Sequence, residues 1–339
     1  MPEIIAENVD RLCTVEMRPQ GMPRGKIHRL YEAARRRQQG RPLSLLAAER
    51  LRAAIKPGDR VILATGAGAP PWLPFGETDG PPGVAALARA LALGLGARPV
   101  FVTEAQSLEP LRAAVLAAGL LVVSPELAAR RQGAAVVLEY SKDDREARAQ
   151  AARLLDEFRP VALVASEKLG PNAKGEIHSV LGVNVTAGHA KIQHLFDLAR
   201  QRGIPSVGFA DGGNEVGCGL IYEDTRTIME AGARCQCPCG DGMATVVSTD
   251  ALFVASVSNW AAYGTCAMLA FLLGNPDLVH DPDTHYRILD ATVRAGAADG
   301  IQGLPVMRED GISVEVNQGL VRQLRELVAT GLQTVHRPF

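Results

Sequence analysis

No stretch of this chain stays apolar and uncharged long enough to cross a bilayer, and Met1 to Asp10 carries Glu3 and Glu7 where a signal peptide needs an apolar core. A soluble cytoplasmic protein with no membrane partner is expected. Neither sign of charge is in excess: 36 Lys and Arg meet 37 Asp and Glu, for a formal net charge of -1. The basic run Arg35-Arg36-Arg37 falls in a helical pattern and reads as a solvated face, so nucleic acid is not an expected partner. Six cysteines among 339 residues do not make a disulfide scaffold, and a chain that is 47% hydrophobic can bury a large core without one. Free thiols in a reducing compartment are expected. Cys235, Cys237 and Cys239 alternate and would share one side of an extended segment. No second CxxC pair and no nearby histidine supplies a fourth ligand, which argues against a structural zinc site. His189 and His194 stand five apart, whereas a helix aligns ligands at three or four, so both read as ordinary helix residues, His189 the nearer to a pocket.

No repeat and no low-complexity linker divides the chain. One unit over 1–339 is expected, with a helical lead-in at 1–58 and an α/β core at 59–339. Short β-branched runs predict strands at Val61 to Ala64, Val100 to Thr103, Ala135 to Leu138, Val161 to Ala165, Ser206 to Ala210, Ala244 to Val247 and Leu252 to Val257. They are continuous rather than alternating, as strands covered on both faces tend to be. Between most of them apolar residues recur at helical spacing: Leu43 to Ile55, Val84 to Leu95, Leu108 to Ala118, Asp144 to Phe158, Ala190 to Arg202 and Trp260 to Leu273. Thr284 to Ala295 and Gln318 to Val328 continue the pattern around a loop from Ala297 to Gly311. The alternation implies an α/β fold whose mostly parallel or mixed central sheet is flanked by helices, with a ligand pocket at the carboxyl ends of the strands. The last two strand candidates follow closely, so that end of the sheet is expected to be mixed or a hairpin.

Chemistry concentrates at the strand ends. Asp211-Gly212-Gly213-Asn214-Glu215-Val216-Gly217-Cys218-Gly219 sets two carboxylates and an amide among four glycines. Its glycines let backbone amides approach an anion, while Asp211, Asn214 and Glu215 suit a cation or an ammonium. Thr65-Gly66 opens another loop, and Glu77-Thr78-Asp79-Gly80-Pro81-Pro82 follows it, Asp79 being equally suited to cap the helix at Val84. Gly66 and Gly68 lack the third glycine and immediate helix of a dinucleotide site, so NAD is not expected. Ser166-Glu167-Lys168 gives a third acidic loop. Ser256-Val257-Ser258-Asn259-Trp260 ends the last strand with polar groups that could orient a substrate, Asn259 being also a plausible N-cap.

DGGNEVGCG, ETDGPPG, SEKLGPNAKG and SVSNW resemble the D-glutamate cyclase family, over most of the chain from about Val61 onward, and are similar to the catalytic region of its mitochondrial members. Cys218 stands where a methionine is expected, and CQCPCG looks like an expansion. The resemblance implies closure of D-glutamate, a small acidic amino acid, to 5-oxo-D-proline and water without ATP. Such a reaction needs a neutral α-amine and help in expelling oxygen from a carboxylate. One of Asp211, Glu215 and Glu167 would take the ammonium proton, and Lys168 would protonate the departing oxygen. Glu77, Asp79, Asp211 and Glu215 are the expected ligands of a hard divalent cation, Mg2+ or Mn2+. Thr65, Gly66, Gly212, Gly213, Asn214, Ser258 and Asn259 are the expected substrate contacts, with the α-carboxylate held by amides or hydroxyls and no dedicated arginine. Acids at strand ends equally suit a metal-dependent hydrolase of a small phosphorylated metabolite, and the glycine loop suits a non-catalytic metabolite-binding protein. A homo-oligomer is compatible with either.

Overall fold

In the computed structural model, which describes residues 1–18 and 24–336, seven strands form one sheet: β1 (Arg60–Thr65), β2 (Arg98–Thr103), β3 (Leu121–Val122), β4 (Ala134–Glu139), β5 (Ala162–Ser166), β6 (Ser206–Ala210) and β7 (Ala251–Val254). Their order is β3-β4-β2-β1-β5-β6-β7, and every pairing is parallel. The helices, in chain order, are α1 (Pro2–Cys13), α2 (Ile27–Arg37), α3 (Leu43–Ala54), α4 (Pro81–Leu95), α5 (Leu108–Ala117), α6 (Pro125–Ala128), α7 (Asp144–Phe158), α8 (Gln193–Gln201), α9 (Tyr222–Ile228), α10 (Ser258–Leu273), α11 (Pro282–Arg294) and α12 (Val314–Leu332). A small antiparallel pair, β8 (Arg308–Glu309) and β9 (Ile312–Ser313), precedes α12.

Continuous apolar strands follow from cover on both faces. Val61 and Leu63 of β1 join a core with Phe101 and helices α3, α4 and α10, while Ile62 and Ala64 join a second core with Leu154, Leu155 and Phe158 of α7 and Leu195 and Phe196 of α8. Helix α10 is buried from Ser258 to Ala270 and has no polar face, as a helix surrounded by other helices requires.

The expected mixed edge is corrected. Ala244 to Val247 is not a strand: the Val246 N–H donates to Pro171 O at 2.9 Å and the Val247 O accepts from Gly217 N at 2.8 Å, so its backbone is spent on loops. The short edge strand β3 was not expected from the sequence. His189 is not helical either, because α8 begins four residues later.

Strand order reverses at β1. On one side of β1 the chain passes to β2, out to the edge strand β3 and back to β4 between them, then resumes at β5 on the other side of β1 and continues through β6 and β7. Loops leaving the carboxyl ends of β1 and β5 therefore diverge and leave a crevice, the position where open α/β sheets bind ligands.

Candidate active site

Two helices meet at the crevice and cap each other. Asp79 Oδ1 accepts the Asn259 N–H at 2.8 Å and Oδ2 accepts the Ser258 N–H at 2.9 Å, which caps α10. In return Asn259 Oδ1 accepts the N–H groups of Gly80 at 2.9 Å and Gly83 at 2.7 Å, at the start of α4, and its amide donates to Thr78 O at 3.0 Å. Both residues are thus caps, each on the other's helix. Gly80 has φ 100°, and any side chain there would collide with Thr65 Oγ1. Thr65, Ser258 and Asn259 build this junction, Gly66 lies against Thr103 and Glu104, and none of the four lines the cavity above.

The glycine loop after β6 is organised from within. Glu215 Oε1 accepts the Asp211 and Gly212 N–H groups at 3.0 and 2.6 Å, and Oε2 accepts the Gly213 N–H at 2.6 Å. Asn214 donates to His178 O at 2.8 Å. The amides expected to hold a substrate carboxylate are therefore already donated to Glu215, which shapes the loop as a built-in anion.

Above this floor lies a cavity of about 390 Å³ whose polar wall includes Glu77, Glu167, Asp211, Asn214, Glu215, Asp310 and Arg18. Carboxylate oxygens of Asp79, Glu167 and Asp211 lie within 4.8 Å of one another. Of the expected cation ligands, Asp79 and Asp211 belong to this triad, Glu77 lines the cavity, Glu215 is engaged by amides, and Glu167 joins instead. Glu167 adopts φ 43°, unusual for a residue with a side chain, and its Oε2 accepts the Ser258 hydroxyl at 2.7 Å. Burial first, then the surrounding carboxylates, pushes Glu77, Asp79 and Glu167 well above the usual carboxylate range.

Arg18 enters from the segment after α1, with Nη2 at 3.2 Å from Asp211 Oδ1 and 3.4 Å from Asp310 Oδ2. Burial pushes Asp211 up to about 7, against the pull of Arg18 and with the addition of Glu215. Burial likewise pushes Asp310 up to about 7, with Asp211 adding and Arg18 opposing. Neither Arg18 nor Asp310 was expected. Asp310 has φ 50° in the turn between β8 and β9, and its one sequence signal is the Asp-Gly pair of that turn. Arg18 has no local signal.

Lys168, expected to protonate the departing oxygen, lies away from the cavity. Its side chain is fully buried, and its ammonium bonds Glu104 and lies 3.1 Å from Gly66 O. Burial draws Lys168 below its ordinary value while Glu104 holds it up. For Glu104 the balance is opposite: burial would raise it, but Lys168 and His189 hold it well below the usual carboxylate range. Glu104 also accepts the Ala190 N–H at 2.8 Å, and His189 Nε2 lies 2.8 Å from Gly68 O. These groups tie together the loops after β1, β2 and β5 beneath the cavity.

The expectation that no histidine completes the cysteine set is also corrected. His178, 59 residues before Cys237, places Nε2 at 3.2 Å from Cys237 Sγ. His178, Cys235, Cys237 and Cys239 thus form a second group able to hold a metal ion, beside the acid triad.

Residues 24–325 match the family described as D-glutamate cyclase-like, C-terminal. Over 111 residues the chain is 34% identical to human mitochondrial D-glutamate cyclase, a match that spans 32% of this chain and 17% of the length of that relative. Mycobacterial Rv1454c, solved in complex with NADPH, is 14% identical with a TM-score of 0.27, over 82% of this chain and 66% of that one, a likeness too slight to bear on fold or ligand. No helix among the described residues is long and apolar enough to cross a membrane.

Proposed function

The chain belongs to the D-glutamate cyclase-like family, and from that premise we propose that it is a hydro-lyase closing D-glutamate to 5-oxo-D-proline with loss of water. The observation that carries this reading is Arg18 between Asp211 and Asp310 in one cavity, a guanidinium set among carboxyls. A dicarboxylic amino acid brings carboxylates that need a cation and an ammonium that needs a proton acceptor. Arg18, whose buried Nε has no partner among the described residues, supplies the first. For the second, a carboxylate lining the cavity can serve as the general base.

The acid triad offers only oxygens, close enough to share one ion, and so fits a hard divalent cation, Mg2+ or Mn2+, held by Asp79, Glu167 and Asp211. When bound, that cation would neutralise the cluster and polarise the substrate's γ-carboxylate. With Asp211 so engaged, proton transfer falls to Asp310, which lines the cavity outside the triad. The amine nitrogen attacks the γ-carbon, the C–N bond forms and the C–O bond breaks. Nitrogen gives up two protons and the departing oxygen gains two, so a single carboxylate relaying them returns to its starting state. Enclosure of both ends of the substrate removes much of the entropic cost of ring closure.

Since Gly212 and Gly213 already donate to Glu215, those amides are not free to cradle an anion, which weighs against the anion-binding reading. The test is incubation of protein cleared of divalent cations with D- or L-glutamate, with and without Mg2+ or Mn2+, resolving 5-oxoproline by chiral chromatography. Cation-dependent product from the D-isomer is expected. Absence of product from both isomers, or phosphate release from general phosphoesters, would overturn the proposal.

A further inference from the structure

We propose that His178, Cys235, Cys237 and Cys239 bind a structural zinc ion that fastens one wall of the cavity. Cys235 Sγ lies 3.5 Å from Cys237 Sγ and 3.3 Å from Cys239 Sγ. His178 Nε2 lies 3.2 Å from Cys237 Sγ and 3.8 Å from Cys239 Sγ. Zinc at about 2.3 Å from sulfur and about 2.0 Å from nitrogen sets tetrahedral edges of about 3.8 Å between sulfurs and about 3.5 Å between sulfur and nitrogen. Four of the six edges are near those lengths, and all four atoms lie within 4.8 Å of one another. A disulfide explains them less well, because it brings two sulfurs to about 2.0 Å and leaves the third thiol over. All three are free thiols.

The surroundings suit thiolates bound to a metal. The Asn172 amide donates to Cys239 Sγ at 3.5 Å and the Asn184 amide to Cys237 Sγ at 3.8 Å, from two points of the loop that also carries His178. Such outer donors spread the negative charge that three thiolates leave after zinc is bound. Soft sulfur and imidazole favour zinc over the hard cation of the acid triad, and four protein ligands leave no open position, which makes the ion structural and not catalytic.

The position of the cluster gives the ion its task. The loop after β5 runs as irregular chain to α8, and its local apolar cluster is small: Ala67, Leu169 and Ile177, with Val185 against them. Val180, Leu181, Val183 and Val185 from this loop line the cavity. Immediately beside them the Gln236 N–H donates to Gly182 O at 2.9 Å and its side chain to Leu181 O at 2.8 Å. His178 O in turn accepts from Asn214 in the glycine loop. One ion would lock three segments whose own packing is thin.

The test is elemental analysis of the full chain purified without added metal, beside Cys237→Ser and His178→Ala. One equivalent of zinc per chain is expected in the wild type and its loss in both variants. In case these variants fail to fold, the wild type also serves: cobalt substitution should give a thiolate-to-cobalt charge-transfer band, and chelation of zinc should speed tryptic cleavage at the exposed Lys174 in the clipped loop. A wild type without zinc that takes up no cobalt at sulfur, a disulfide among the three cysteines, or full zinc retention in Cys237→Ser would overturn the proposal. Mg2+ or Mn2+ dependence of turnover is read separately, so failure of the zinc site leaves the proposed reaction standing.

Discussion

Lys168 and Glu104 lie with their side chains at 0% and 2% exposure, and each supplies the other with a counter-charge at close range. Removing one partner of such a pair strands the other in low dielectric, at a cost of about 3 to 5 kcal/mol. Lys168→Met is therefore expected to lower unfolding stability by about that amount, read from urea denaturation, with lost turnover tracking lost folded protein. A stable Lys168→Met without turnover would restore this lysine as the proton donor. The same residues mark what was readable from sequence. Asp211, Glu167, Glu77 and Asp79 announced themselves as acids beside glycines at strand ends. Arg18, Glu104 and Asp310 did not, because each takes its meaning from a partner far along the chain: Asp211 for Arg18, Lys168 for Glu104, and Arg18 for Asp310.

The junction of α4 with α10 rests on exchanged caps. Asn259 Oδ1 serves two amides of α4's first turn, while Asp79 serves two of α10's. Asn259→Ala leaves the Gly83 amide without its side-chain acceptor and the Gly80 amide with Asp79 Oδ1 alone, and a loss of about 1 to 3 kcal/mol is expected from thermal or urea unfolding. A change below about 1 kcal/mol would mean that water or a neighbouring group takes over the cap. Helix periodicity placed α3, α5 and α7 to within a residue or so, since one apolar face defines each of them. It hid the start of α4, where Pro81 and Pro82 read as a stiff loop although proline fits the first turn of a helix. A short β-branched run suggested a strand at Ala244 to Val247, where Ala244 and Val247 are buried, Val246 is exposed and the backbone bonds the site loops.

Alternation of strands and helices implied a parallel sheet, but not the order of its strands. That order puts β1 at the reversal and brings the loops after β1, β5 and β6 to one crevice. The segment after α1 and the turn between β8 and β9 then close over it, so residues from 18 to 310 share one cavity. No local pattern encodes that convergence; it arises from right-handed crossovers and the cover of both sheet faces. The cysteine cluster repeats the lesson, since the fourth ligand, His178, is supplied by the fold across 59 residues. The measurement that bears most directly on the proposed chemistry is the rate of 5-oxo-D-proline formation by Asp310→Asn beside the wild type, with Mg2+ or Mn2+ saturating. Loss of the proton relay predicts a fall of about 100-fold or more with folding and cation binding retained. A rate close to that of the wild type would contradict Asp310 as the base and the reading of the cavity built around it.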